Sequence, residues 1–320
     1  MVVDLEKGLF RLCSQLIARD ENFKALSKHK QFDQINIELF REYRLYRLQQ
    51  TLQYAYNNSR FYRTLFDKHG VRPEKVKSIS DLAKLPFTNP EDLSKNSYDF
   101  LCISQGQVEK PVTYFSTGTT GLKKRIFFSR KDLENIRRFL GVGMNTVTGR
   151  EGVIQVILPN TAGRGIGTLL VQSLRDMGMQ AYATNMMWDS ETQIKYTLEN
   201  RPDVWFGDTG TIYRITKEME HKVDLSQLGV KVLFLTIVYA SPVLVHNLEK
   251  IWNCRVCTHY GLTEMGWGLA VECESGVGYH YNELDVIAEV VDPVTGEVLP
   301  DGAEGELVYT NLGREAMPLI

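Results

Sequence analysis

The residues with the clearest capacity for chemistry stand together in Tyr114-Phe115-Ser116-Thr117-Gly118-Thr119-Thr120-Gly121-Leu122-Lys123-Lys124. Gly118 and Gly121 lack a Cβ, so the backbone can turn through φ > 0 and bring its N–H groups against an anion. Ser116, Thr117, Thr119 and Thr120 add hydroxyl donors, and Lys123 and Lys124 add positive charge at the exit. Such a segment suits a polyphosphate. Val112 to Phe115 before it and Arg125 to Phe128 after it are β-branched or aromatic runs, so the loop joins two strands. That excludes the Walker loop and the G-x-G-x-x-G turn, both of which open a helix. An exposed hairpin tip can share this composition, so the loop needs a second element to define it.

The second element is Thr258-His259-Tyr260-Gly261-Leu262-Thr263-Glu264. With both stretches in place, the sequence resembles the adenylate-forming superfamily of acyl-CoA synthetases, and within it the phenylacetate-CoA ligase branch. In that superfamily S-[S/T]-G-T-T-G-x-P-K holds the ATP phosphates; Y-G-x-T-E supplies an aromatic face for adenine, a hydroxyl for phosphate and a carboxylate for Mg²⁺. The resemblance extends through Phe61-Tyr62-Arg63, Asp81-Leu82, Leu85-Pro86-Phe87, Gly278-Tyr279-His280, Glu289 to Pro293, Gly305-Glu306-Leu307-Val308 and Ala316 to Ile320. It implies catalytic roles for Thr119, Lys124, Thr263 and Glu264. It implies nucleotide contacts from Ser116, Thr117, Gly118, Thr119, Thr120, Gly121, Lys124, Ala240, Ser241, Tyr260, Gly261 and Thr263, with Mg²⁺ on Glu264. The substrates implied are a small carboxylic acid, ATP and coenzyme A.

Two departures from the pattern stand out: Lys123 replaces the proline of the phosphate loop, and Ala240-Ser241-Pro242 replaces the branch's A-E-P. In the branch, R-Y-R-T-G-D follows the position of Ile320. The ribose aspartate, the hinge and the mobile C-terminal domain with its adenylation lysine are therefore expected outside these residues, which correspond to the family's large N-terminal part. Three readings stay open at this stage. They are a CoA ligase, an adenylating protein whose acyl acceptor is a carrier-protein thiol or an amine, and a non-catalytic nucleotide-binding module.

The elements that must position these residues are legible as an α/β pattern. Residues 1–105 read as helix-rich: Leu45, Leu48, Leu52 and Ala55 form one helical stripe, and Asn89-Pro90-Glu91-Asp92 has the form of a capped helix start. Ser129 with Asp132 caps a helix carrying Leu133, Ile136 and Leu140. Residues 106–277 then alternate. Strands are expected at Val153–Leu158, Gln180–Ala183, Asp203–Phe206, Lys231–Val238 and Arg255–His259, with helices near 166–177, 190–199, 210–221 and 242–252. Regular alternation predicts mainly parallel sheets covered by helices, with ligands beyond the carboxyl ends of the strands. From 278 to 320, short strands and turns suggest a small β-barrel-like subdomain. By position, the turn Pro159 to Gly167 resembles the family's acyl-pocket loop, and Gly207 to Tyr213 its T-P-S-Y segment.

Composition excludes several classes. A formal net charge of −2 over 320 residues, 43% hydrophobic and 24% charged, gives no reason to expect nucleic acid or an anionic membrane as partner. No apolar run approaches the roughly 20 residues of a membrane span, and a cytoplasmic protein with reduced cysteines is expected. A homodimer is allowed as an assembly state. Among the five cysteines, Cys257 shares a strand face with His259; with Cys273 and His280 it makes a candidate tetrahedral Zn²⁺ set, although the spacing fits no standard zinc module. Buried reduced cysteines that pack as small apolar residues are the competing account.

Overall fold

Runs of Val, Ile, Leu, Phe and Trp five or six residues long, separated by amphipathic stretches of about eleven, set the architecture in this computed structural model. It describes residues 5–29, 32, 35–115, 123–148, 152–160, 165–272 and 278–320. The chain divides into two units, one formed by 9–134, 263–265 and 282–320, the other by 1–8, 135–262 and 266–281.

The chain begins with helices, α1 at Leu5–Ala18, α2 at Glu21–Leu26, α3 at Ile37–Asn58, α4 at Arg60–His69 and α5 at Pro90–Asn96, which from Leu9 on belong to the first unit. Side-chain caps start α2 and α3: Asp20 accepts from Phe23 N–H at 2.9 Å, and Asn36 accepts from Leu39 N–H at 2.8 Å. The expected stripe on α3 is real, with Leu48, Leu52 and Ala55 fully buried. Its arginines do more than flank that stripe. Arg47 donates to the carbonyls of Leu284 and Leu312 and pairs with Asp285 at 2.9 Å, tying α3 to the end of the chain.

Next come strands β1, Lys110–Phe115, and β2, Lys123–Phe128, paired antiparallel as the sequence required. Helix α6, Arg130–Thr148, starts at a reciprocal cap in which Ser129 N–H donates to Asp132 Oδ2 and Asp132 N–H to Ser129 Oγ.

The second unit is built on seven strands: β3 at Val153–Leu158, β4 at Gln180–Asn185, β5 at Val204–Asp208, β6 at Val232–Thr236, β7 at Arg255–Tyr260, β8 at Ala270–Glu272 and β9 at Tyr279–Tyr281. Between them run α7, Ile166–Asp176; α8, Ser190–Asn200; α9, Thr209–Met219; and α10, Pro242–Trp252. Strand order is β4-β3-β5-β6-β7-β8-β9, parallel through β7 and antiparallel at β8 and β9. The crossover helices cover the middle of the sheet, so β3, β5 and β6 are buried along almost their full length. Trp205 of β5 and Trp252 of α10 meet edge to face at 4.8 Å, and the Trp252 indole donates to Thr216 Oγ1 at 2.9 Å. The chain returns to the first unit with β10, Val286–Val291, and β11, Glu306–Asn311, one antiparallel pair.

Candidate functional site

Tyr114 and Lys124 lie equally far from the centre of the phosphate loop, and the β1–β2 register sets them directly opposite each other. Directly opposed residues share a face, and the Lys124 ammonium sits 5.8 Å from the Tyr114 ring centroid. The same ammonium donates to Glu264 Oε1 at 2.9 Å across 140 residues of sequence. Both side chains are largely withdrawn from solvent, at 10% and 16% exposure. Burial, and then the adjacent Glu264 carboxylate, hold the Tyr114 phenol far above the usual tyrosine range, so its proton stays on. Lys124, at the exit of the expected phosphate loop, and Glu264, the expected Mg²⁺ carboxylate, are thus in contact.

Glu264 is carried by the turn between β7 and β8. Trp267 N–H donates to the Leu262 carbonyl at 2.8 Å and Leu269 N–H to the Tyr260 carbonyl at 3.2 Å. Gly261 permits this turn. A Cβ built there would stand 1.7 Å from the Trp267 carbonyl oxygen, a distance no side chain tolerates.

In the sheet-bearing unit, Tyr260 ends β7 as a residue 38% exposed, and the Tyr279 ring of β9 lies 6.4 Å from its ring, tilted by 55°. Behind this pair, Thr258 N–H and Oγ1 both donate to Glu272 Oε2, at 2.8 and 2.9 Å, and Thr258 Oγ1 lies 2.6 Å from Tyr279 Oη. An aromatic face at the carboxyl end of a parallel strand therefore rests on a fixed polar base. Ala240 is buried, and Ser241 is spent on helix capping, accepting from Leu244 N–H at 3.3 Å ahead of Pro242. At this position the A-S-P variant presents a short cap in place of a long carboxylate.

His259 points inward between Phe206 and Phe234, with ring centroids at 5.9 and 6.0 Å, and its Nδ1 meets Thr236 Oγ1 at 3.0 Å. Its Nε2 is enclosed without a hydrogen-bond partner. Desolvation drives its pKa down to about 4, so the ring is neutral near pH 7. Cys257 is buried and reduced on the same strand, while His280 lies at the surface, 3.7 Å from Glu6. Among the described residues no three His, Cys, Asp or Glu side chains gather as a metal site. The zinc reading turns on Cys273, which lies outside the described residues. So do Ser116, Thr117, Gly118, Thr119, Thr120 and Gly121 of the phosphate loop.

Tyr114 is the site residue that sequence reasoning passed over. Its signal was present in the equal spacing of Tyr114 and Lys124 about the loop, which fixes their pairing once the hairpin is recognised.

A mixed sheet flanked by helices, a Gly- and Thr-rich stretch between two strands and a Tyr-Gly-Leu-Thr-Glu turn after a parallel strand are the features on which the resemblance to the adenylate-forming class rests. Residues 68–313 match the family model described as AMP-binding enzyme, and the chain belongs to that family. It is 32% identical over 287 residues to the phenylacetate-coenzyme A ligase of Aromatoleum evansii, an alignment covering 88% of this chain and 64% of that protein. It is 30% identical over 296 residues to the enzyme of the same name from Pseudomonas putida, covering 89% and 65%. The chain thus spans somewhat under two thirds of these relatives' length. Among solved structures, a 2-hydroxyisobutyryl-CoA ligase in an open conformation with 2-HIB-AMP and CoA superposes with a TM-score of 0.77 at 22% identity, covering 88% of this chain and 63% of that one. The thioesterification state of the same ligase gives 0.77 at 23% identity, covering 89% and 62%.

Proposed function

We propose that this chain is the nucleotide- and acyl-binding part of an ATP-dependent acyl- or aryl-CoA ligase of the phenylacetate-CoA ligase kind. The observation that carries the reading is the meeting of Lys124, from the exit of the phosphate loop, with Glu264, from the Tyr-Gly-Leu-Thr-Glu turn. Two motifs far apart in sequence converge on the charges that a triphosphate and its counter-ion require. The family membership and the names of the relatives point the same way.

In this reading a carboxylate attacks the α-phosphate of ATP, an O–P bond forms, pyrophosphate leaves, and the acyl-adenylate remains. The acid is already ionised at pH 7, so this step needs no general base. It needs charge neutralisation and alignment. Lys124 supplies the charge, the hydroxyls of Thr119 and Thr263 donate to phosphate oxygens, and the Tyr260 face receives adenine. Mg²⁺ commonly binds through one or two carboxylates plus substrate phosphates, and Glu264 fits that donor set. When bound, the ion offsets phosphate charge. A thiol such as that of coenzyme A then attacks the acyl carbon; the C–S bond forms, the C–O bond to AMP breaks, and the thiol proton passes to solvent.

The test is ATP–pyrophosphate exchange over a panel of aryl and alkyl carboxylates. Carboxylate-dependent exchange that is lost in Lys124→Ala is the expected result. Tight ATP binding without exchange for any acid would make the chain a nucleotide-binding module.

A further inference from the structure

Glu264 is the residue assigned to Mg²⁺, yet its carboxylate already has a cation. Lys124 Nζ stands 2.9 Å from Oε1, the two side chains are 10% and 16% exposed, and the Tyr114 ring flanks the ammonium. The ammonium fixed beside this carboxylate repels a second cation and neutralises the charge that would attract it. Of the two lysines that follow the loop proposed to hold the triphosphate, Lys123 is exposed and Lys124 is buried.

We infer that Lys124 is the resident counter-ion of Glu264, that it keeps divalent metal off this carboxylate while no nucleotide is bound, and that the triphosphate frees Glu264 by drawing Lys124 away. The inference rests on the ligase reading for the identity of the nucleotide. It adds an order of binding that the reading does not contain: metal reaches Glu264 with ATP or after it, never before.

The physical logic is an exchange of partners. Before nucleotide binds, one ammonium satisfies one carboxylate. With nucleotide bound, the ammonium would face phosphate oxygens, and the Glu264 carboxylate would be free to hold the metal. Each charge keeps an opposite charge at every stage, so no bare buried ion forms. Tyr114 restricts where the ammonium can go. Its ring walls one side of the pair, and β1 opposite β2 holds that ring in place.

Mn²⁺ binding, followed by paramagnetic relaxation of water protons or by the EPR signal of free Mn²⁺, reports on this without any turnover. In the nucleotide-free wild type, Mn²⁺ at Glu264 is expected to be undetectable, with a titration that overlays that of Glu264→Gln. Lys124→Met keeps much of the lysine stem and removes the charge; it is expected to bind Mn²⁺ at least about 10-fold tighter than wild type. Adding Glu264→Gln to Lys124→Met should abolish the gain, and Lys124→Arg should behave as wild type. Near-UV circular dichroism of each variant keeps a folding defect from passing as a result. If the methionine variant does not fold, the arginine variant and the wild type against Glu264→Gln still carry the comparison.

Wild-type protein that binds Mn²⁺ through Glu264 before ATP is added overturns the inference, as does a Lys124→Met variant that gains nothing. The ligase reading is judged separately, by whether Glu264→Gln weakens Mn²⁺ binding when ATP is present. Loss there together with no gain in Lys124→Met leaves Glu264 as the metal carboxylate and removes only the counter-ion role. No effect of Glu264→Gln in either condition removes both.

Discussion

At the scale of the residue, Tyr260 and Glu264 are four positions apart and are expected to do separable work. The Tyr260 ring is half-open at the end of β7 and backed by Tyr279, a surface on which a purine can stack. Stacking of a base on an aromatic side chain contributes about 1–3 kcal/mol, so Tyr260→Ala should weaken ATP roughly 5- to 150-fold, with or without Mg²⁺. Glu264→Gln should weaken ATP only when Mg²⁺ is present; isothermal titration in EDTA and in excess Mg²⁺ separates the two, and an equal loss in EDTA would refute the metal assignment. His259 gives a second residue-scale expectation. Its folded pKa of about 4 lies below the 6.5 of an exposed histidine. Between those values the unfolded chain binds a proton that the folded chain refuses, so stability is intact above pH 6.5 and falls as the pH drops toward 4. The loss amounts to about 2–3 kcal/mol at the acid end, since each pH unit is worth about 1.4 kcal/mol. His259→Gln should therefore flatten the acid limb of a plot of melting temperature against pH. An unchanged slope would mean that the ring titrates freely.

At the scale of the element, sequence and structure agree where the local signal and the tertiary outcome are the same thing. Each of α7 to α10 begins and ends within a residue or two of its expected span, because Asp, Ser and Gly at the starts specify caps that no distant contact has to supply. Strands β8 and β9 were not legible as members of the large sheet. They have only three residues each, too few to show a period, and they join it through antiparallel pairing at its edge. The sequence marks Asp132 as a cap, and it also holds a second segment. Its Oδ2 accepts from Ser129 N–H at 3.0 Å and Ala316 N–H at 2.9 Å, and its Oδ1 accepts from Glu315 N–H at 2.7 Å, all with 1% of the residue exposed. Asp132→Ala would leave these donors buried and unpaired, at about 1–3 kcal/mol each. Urea unfolding should show a loss of about 3–5 kcal/mol, against about 1 kcal/mol for Ser129→Ala, which removes only the cap. Similar losses in both variants would reduce Asp132 to a helix cap.

For the whole molecule, the chemistry was read from motifs and the partnership between motifs came from the fold. Lys124 and Glu264 could each be assigned from short strings, but no local pattern says that they touch, since 140 residues intervene. The parallel order of β3 to β7 likewise followed from alternation, whereas the neighbour of each strand is a matter of topology. The proposed nucleotide site makes one global property testable without a substrate. A ligand that binds only the folded state stabilises it by about 2.7 kcal/mol at a hundred times its dissociation constant. For units of this size that corresponds to a rise in melting temperature of roughly 5–10 °C, which differential scanning fluorimetry with Mg²⁺ and ATP can read. Gly118→Val places a branched side chain where the loop backbone is proposed to meet phosphate. It should abolish most of that rise while leaving the melting temperature of the nucleotide-free protein close to wild type. Leu122→Ala, in the same loop but without a proposed phosphate contact, should retain the rise. Equal shifts in both variants would show that ATP is held elsewhere in the chain, and with it that the loop between β1 and β2 is a hairpin tip.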